Sequence, residues 1–165
     1  MNSDEIMVVE ELHRLISLHP VTGSRRASWR HGSMHELLLE RGRFFLPAER
    51  PDSVSRLKQK ACFENAFLLA SQSSELVYVE GLAVWSGLYL HHAWCVDARG
   101  VVVDPTWPEA GSAYLGLPFG PWVAEPPCFG PGLIEERSQL YPLLESGLPP
   151  NALVDVGRQP ASSTA

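Results

Sequence analysis

The chain has 165 residues, 45% of them hydrophobic, enough to bury a core as one domain. Its net charge of −6, with 19% charged residues, excludes a phosphate-binding surface of the usual clustered-cation kind and so argues against nucleic acid. No run of about eighteen apolar residues exists to span a membrane.

The start, MNSDEIMVVEELHRL, has no basic stretch followed by an apolar one, so it is not read as a signal peptide and a cytoplasmic location is expected. Residues 3–19 read as a helix capped by Ser3, with Ile6, Val9, Leu12 and Ile16 as its apolar stripe. The one basic cluster, Gly23 to Gly32, falls in a loop. Ser33 then opens a short helix, MHELLLERGRFF, that Gly42 ends. LPAERPDS is extended. VSRLKQKACFENAFLLASQ, from residue 54, predicts a buried central helix. ELVYVEGLAVW, HHAWCVD and VVVDPTW read as strands. From Pro105 onward prolines and glycines predict irregular chain, yet Trp107, Tyr114, Phe119, Trp122 and Phe129 predict that it packs onto the domain. LIEERSQLYPLLES reads as a last helix, interrupted near Pro142. One domain over 1–148 results: a helical segment to residue 50, a core over 54–107 and an aromatic-rich segment over 108–148. Residues 149–165 are expected to be a disordered tail.

The turn chemistry of DARG fixes a register. Asp at the first position of a type I turn and Gly at the fourth give a three-residue loop, Ala98 to Gly100. Asp97 then faces Val101, Cys95 faces Val103 and Trp94 faces Asp104. His92, Trp94, Val96, Val102 and Asp104 share one face, with Asp104 diagonal to His92. His91, Ala93, Cys95 and Val101 take the other face. Cys95 is therefore read as a small buried hydrophobe, with His91 as the fallback imidazole.

Three cysteines, Cys62, Cys95 and Cys128, cannot all pair, and none has metal-ligand spacing; no metal and no nucleotide cofactor is implied. Cys62 near a helix start, followed by His92 and Asp104, is the order expected of a nucleophile, its base and the group that orients the base. Four residues are candidates to line the site. Gln59 is either an oxyanion donor or a solvated residue. Asn65, three positions after Cys62, either lines the site or caps a buried backbone group. Glu80, in an otherwise apolar strand, lies at an edge or in a polar cleft. Trp94, with Trp107, packs around the histidine.

ACFENA, HHAW and VVVDPTW resemble the Cys, His and Asp motifs of the transglutaminase-like branch of the papain-like superfamily, and also small bacterial and phage proteins of that type. The resemblance covers about Leu57 to Trp107. LKQKA stands where the family places a turn of small residues. It implies an α+β, papain-like fold with a central helix on an antiparallel sheet, and Cys62, His92 and Asp104 as a triad. The function expected is a thiol-dependent acyl-transfer enzyme acting on an amide of a protein or peptide: a peptidase or deamidase if water is the acceptor, a transglutaminase if an amine is. The rival readings are an inactive binding or regulatory module and a toxin or effector that modifies one protein.

Overall fold

A computed structural model describes residues 1–18, 28–120, 132–134 and 136–160. The fold is α+β. In chain order it runs α1 (Ser3–Leu18), α2 (Met34–Arg41), β1 (Arg43–Phe45), α3 (Cys62–Ser71), β2 (Val77–Trp85), β3 (Leu88–Val96), β4 (Val102–Val103), β5 (Ala113–Phe119) and α4 (Arg137–Ser146). The strands form one antiparallel sheet in the order β1-β5-β2-β3-β4. The sheet curls until its two edges meet. Leu46, just past β1, donates its N–H to Gly100 O at 2.8 Å and accepts from Val102 N at 2.9 Å.

Curling divides the apolar residues into two clusters. Phe45, Val79, Ala83, Trp94, Val96, Val102, Tyr114 and Val156 fill the inside of the curl. Residues pointing outward, among them Tyr78, Leu82, Ala93, Cys95 and Leu117, meet the helices through Val8, Leu12, Leu37, Ala66 and Leu140. Period-two alternation in the strands makes this split, since neighbouring side chains go to opposite faces. Gly116, Gly81 and His92 lie in one cross-strand row. A side chain on Gly116 would strike the Trp94 ring, so the glycine lets that ring lie flat inside.

Both hairpins follow from their turns. Ser86 (φ 52°) and Gly87 (φ 74°) are two successive left-handed residues, the two-residue turn whose twist suits β2 and β3. In the β3–β4 loop Gly100 N donates to Asp97 O at 2.9 Å, and Gly100 is left-handed at φ 76°. Cys95 opposite Val103 and Val96 opposite Val102 are the pairs that this loop length dictates.

Several expectations need correction. The α1 cap is Asn2: its Oδ1 accepts from Glu5 N at 2.8 Å while Glu5 accepts back from Asn2 N. The buried stripe of α1 is Glu5, Val8 and Leu12, and Ile6 is 44% exposed. Ser33 does cap α2, accepting from Glu36 N at 3.2 Å, but RFF after Gly42 is a strand. The central helix begins at Cys62, eight residues later than its pattern predicts, and Leu68 on it is 45% exposed. AYLGLPF, read as irregular, is β5, between β1 and β2; its glycine and proline hid a fully buried strand. The 149–160 stretch is not a loose tail. Ala152 and Val156 are buried, Arg158 bridges to Phe44, and the Arg158 guanidinium grips buried Glu5 at 2.7 and 2.8 Å. Most of the basic loop, along with Trp122, Cys128 and Phe129, lies outside the described residues. Among the described residues no helix is long and apolar enough to cross a membrane.

Removing residues 149–165 is therefore expected to lower the unfolding free energy by about 2 kcal/mol or more, the scale of one buried valine and a buried carboxylate left without its partner. Denaturant titration of the truncated chain checks this; an unchanged midpoint would mean the stretch does not pack.

Candidate active site

His92 lies in β3 on the inner face, 2% exposed. Its Nε2–H donates to Asp104 Oδ2 at 2.7 Å. The Tyr114 hydroxyl stands 3.5 Å from the same oxygen and accepts from Gly111 N at 2.8 Å. The other carboxylate oxygen, Oδ1, accepts from Thr106 N at 2.8 Å and Trp107 N at 3.2 Å. That is the local turn an aspartate before proline makes. Asp104 thus shapes the chain and holds the imidazole with the same carboxylate. Trp107, brought back by the turn, covers His92 face to face at 3.7 Å and 6°, and Trp94 lies beneath it at 6.1 Å. Trp85 stacks on Trp107 from the far side at 5.6 Å.

The same turn ends β4 after Val103 and leaves part of β3 uncovered. In a hairpin closed by two residues, hydrogen-bonded and open pairs alternate. Glu80 and Ala93 form an open pair with respect to β2, so the Ala93 N–H points to the uncovered edge. Cys62 occupies that edge. The Ala93 N–H, with those of Phe63 and Cys62 itself, favours the thiolate, but burial outweighs them and pushes the Cys62 thiol above its ordinary value; the nearby Asp104 charge adds to this. A largely ionised resting thiol is thus not what the surroundings favour.

Cys62 opens α3 because the eight residues before it are used otherwise. Leu57 N donates to Pro105 O at 2.7 Å, Arg56 Nε to Thr106 O at 3.4 Å and Arg50 Nη1 to Trp107 O at 3.1 Å. Asn65 finishes the seam, giving its amide hydrogens to Lys58 O at 2.7 Å and Thr106 Oγ1 at 3.0 Å. Residues 50–65 are in this way stitched to the Asp-Pro-Thr-Trp turn. Lys60, at φ 61°, makes the sharp bend that turns the chain into the helix.

Cys62, His91, His92, Arg56, Gln59 and Trp107 are among the residues lining one cleft of about 360 Å³. A larger hollow of about 570 Å³ at the other end of α3, against Phe67, Tyr78 and Phe119, has no cysteine, histidine or carboxylate in its lining. Of the four lining candidates, only Gln59 reaches the cleft, exposed in the turn before Cys62. Asn65 is the backbone cap described above, with both amide hydrogens engaged. Glu80 is fully buried on the outer face, accepting from Tyr78 Oη at 2.7 Å, Leu133 N at 2.8 Å and Ile134 N at 3.0 Å, and burial raises its carboxyl. Trp94 is buried against His92 and Tyr114. Cys95 is the small buried residue expected, its thiol donating to Ala66 O at 3.1 Å and pushed up to about 12 by burial. His91 packs edge-on to Phe63 and also borders the cleft. Sequence reasoning missed Tyr114 and Trp85, and the alternation of β5 was the signal that would have turned Tyr114 inward.

Two outcomes follow. Brief iodoacetamide treatment of the folded protein is expected to label Cys62 before Cys95, which becomes reactive only on unfolding; peptide mapping reads both. Asn65→Ala is expected to cost about 1–3 kcal/mol in thermal or denaturant melting, because it strips the donors from Lys58 O and Thr106 Oγ1. A neutral effect would mean the seam does not depend on Asn65.

No family model, curated protein or solved structure matches this chain.

Proposed function

We propose that the protein is a thiol-dependent acyl-transfer enzyme acting on an amide of a protein or peptide, built on a papain-like, transglutaminase-like core and working in the cytoplasm. The observation that carries this reading is the buried 2.7 Å bond from His92 Nε2 to Asp104 in the wall of the cleft that Cys62 also lines. A structural histidine inside a sheet needs neither a carboxylate of its own nor a place in the wall of a cleft that a cysteine also lines.

With Nε2–H held by Asp104, the lone pair of His92 is on Nδ1, the nitrogen left to take the Cys62 proton. Burial keeps the resting thiol protonated, so His92 acts as general base when substrate is present. The thiolate attacks the amide carbonyl and a carbon–sulfur bond forms. His92 then passes the proton to the leaving amine as the carbon–nitrogen bond breaks, leaving a thioester on Cys62. Water as acceptor regenerates the acid and the free thiol; an amine gives a new amide. The Cys62 backbone N–H, in the first turn of α3, is one oxyanion donor, and the Gln59 side chain is the candidate for the second.

The pH dependence of Cys62 alkylation and its acetylation by p-nitrophenyl acetate test this. In His92→Ala the thiol stands alone with a raised pKa, so its thiolate is scarce at neutral pH and the rate climbs only above the ordinary value of 9.0. The native protein is expected to react near pH 7 and to carry an acetyl group on Cys62 there. Asp104→Asn keeps an oxygen for Thr106 N and Trp107 N, so it should stay within about 1 kcal/mol of native stability while slowing Cys62 at least about tenfold. Asp104→Ala loses turn and tether together and should cost about 3 kcal/mol or more. If neither His92→Ala nor Asp104→Asn changes the neutral-pH rate, Cys62 has no base and the enzyme reading fails.

A further inference from the structure

The cleft differs in charge from the molecule around it. The chain carries −6 overall, yet the only charged side chains lining the cleft, among the described residues, are Arg56 and Lys60. Neither is in an ion pair with a described residue; Arg56 spends only its Nε, on Thr106 O. Asp104, whose charge is felt at Cys62, is buried, engaged by His92 and the turn, and outside the lining, as are Glu64 and Glu109.

Lys60 adds a second observation. At φ 61° it holds a left-handed backbone that disfavours any side chain other than those of glycine and, less strongly, asparagine or aspartate. Glycine would make the same bend before Cys62 without strain. What lysine adds there is a side chain with a cation, exposed at the cleft and two residues from the nucleophile. Trp85 and Trp107, stacked on each other, line the same cleft and add apolar surface to it.

We infer that Arg56 and Lys60 select the substrate: an amide with a negatively charged group beside the reacting carbonyl, as in an acidic peptide segment, whose uncharged part lies against Trp85 and Trp107. This rests on Cys62 being the nucleophile of the preceding reading. The cations contribute at two stages. They attract an anionic substrate to a protein whose net charge would repel it, and they fix which side of the amide faces Lys60.

Two methanethiosulfonates of similar size, one ending in a sulfonate and one in a trimethylammonium group, test it on the full chain. In each reaction the Cys62 thiolate attacks the sulfenyl sulfur, a disulfide forms and methanesulfinate leaves, so the two probes differ only in charge. Peptide mapping reads Cys62 alone, and the rate ratio is divided by that of a free thiol in the same buffer. The sulfonate is expected to react faster at low salt, by about threefold for each cation within reach, with the advantage shrinking as salt screens it. Lys60→Gly relieves the bend, leaves the fold at least as stable and should lose its share of the preference; Lys60→Arg should keep it. Arg56→Gln should lose the rest, with melting followed because Arg56 also holds Thr106.

The outcomes separate the two ideas. If Cys62 reacts with His92-dependent pH behaviour but shows no charge preference, the substrate class is wrong and the enzyme reading stands. If the trimethylammonium probe is faster, the two tryptophans take a cation by their faces and the inference is overturned. A sulfonate preference that survives Lys60→Gly with Arg56→Gln would come from the imidazole and overturn it as well. If Cys62 reacts with neither probe in the folded protein, both ideas fall.

Discussion

One carboxylate organises this molecule. Asp104 gives one oxygen to the backbone of Thr106 and Trp107 and the other to His92. The first bond ends β4 and swings Trp107 back over the imidazole; the second sets which ring nitrogen carries the proton. A turn residue and an orienting residue are usually different side chains. Here the buried acceptor does both, and that is why the chain leaves the sheet beside His92. Ending β4 early also uncovers the β3 edge that Cys62 occupies, so the turn makes room for the cysteine.

The position of Cys62 depends on the same segment from the other side. Residues 54–61 form no helix, although their pattern is helical, because donors and acceptors among them are drawn to Pro105, Thr106 and Asn65. Helix propensity is worth a few tenths of a kcal/mol per residue, and a handful of partly buried hydrogen bonds outweighs it. The result is a helix that starts at the cysteine, with unspent N–H groups around the sulfur. Burial offsets that help and raises the Cys62 thiol above its ordinary value.

Much of this was legible in the residues. DARG gave the β3–β4 register because a left-handed glycine after a type I turn admits one loop length, and with it came the face shared by His92 and Asp104. Of Cys62, His92 and Asp104, the last two share a hydrogen bond and the first two line one cleft. What stayed hidden was set by tertiary contacts. β5 carries a glycine and a proline, both normally strand breakers; it survives because Gly116 makes space for Trp94 and because Pro118 lies beyond the three residues that β1 pairs with. Glu80 looked like a cleft residue because an acid in an apolar strand asks for a polar neighbour. Its neighbours are the N–H groups of Leu133 and Ile134, more than fifty residues on, and no local pattern announces them. Asn65 was open between two roles until the partners of both its amide hydrogens were known.

The ion pair between Glu5 and Arg158 sets a condition on when this protein can finish folding. Glu5 lies on the buried side of the first helix, and its compensating cation is 153 residues away. Around it the same late stretch closes on Phe44 and on the end of β5. While the chain is being made, the segment that carries Cys62, His92 and Asp104 emerges well before these partners exist. Contacts of such long separation form slowly, since loop closure must precede any gain from them. The closure of Arg158 on Glu5 and Phe44 is therefore expected to follow the pairing of β2 with β3, whose partners lie close in the chain.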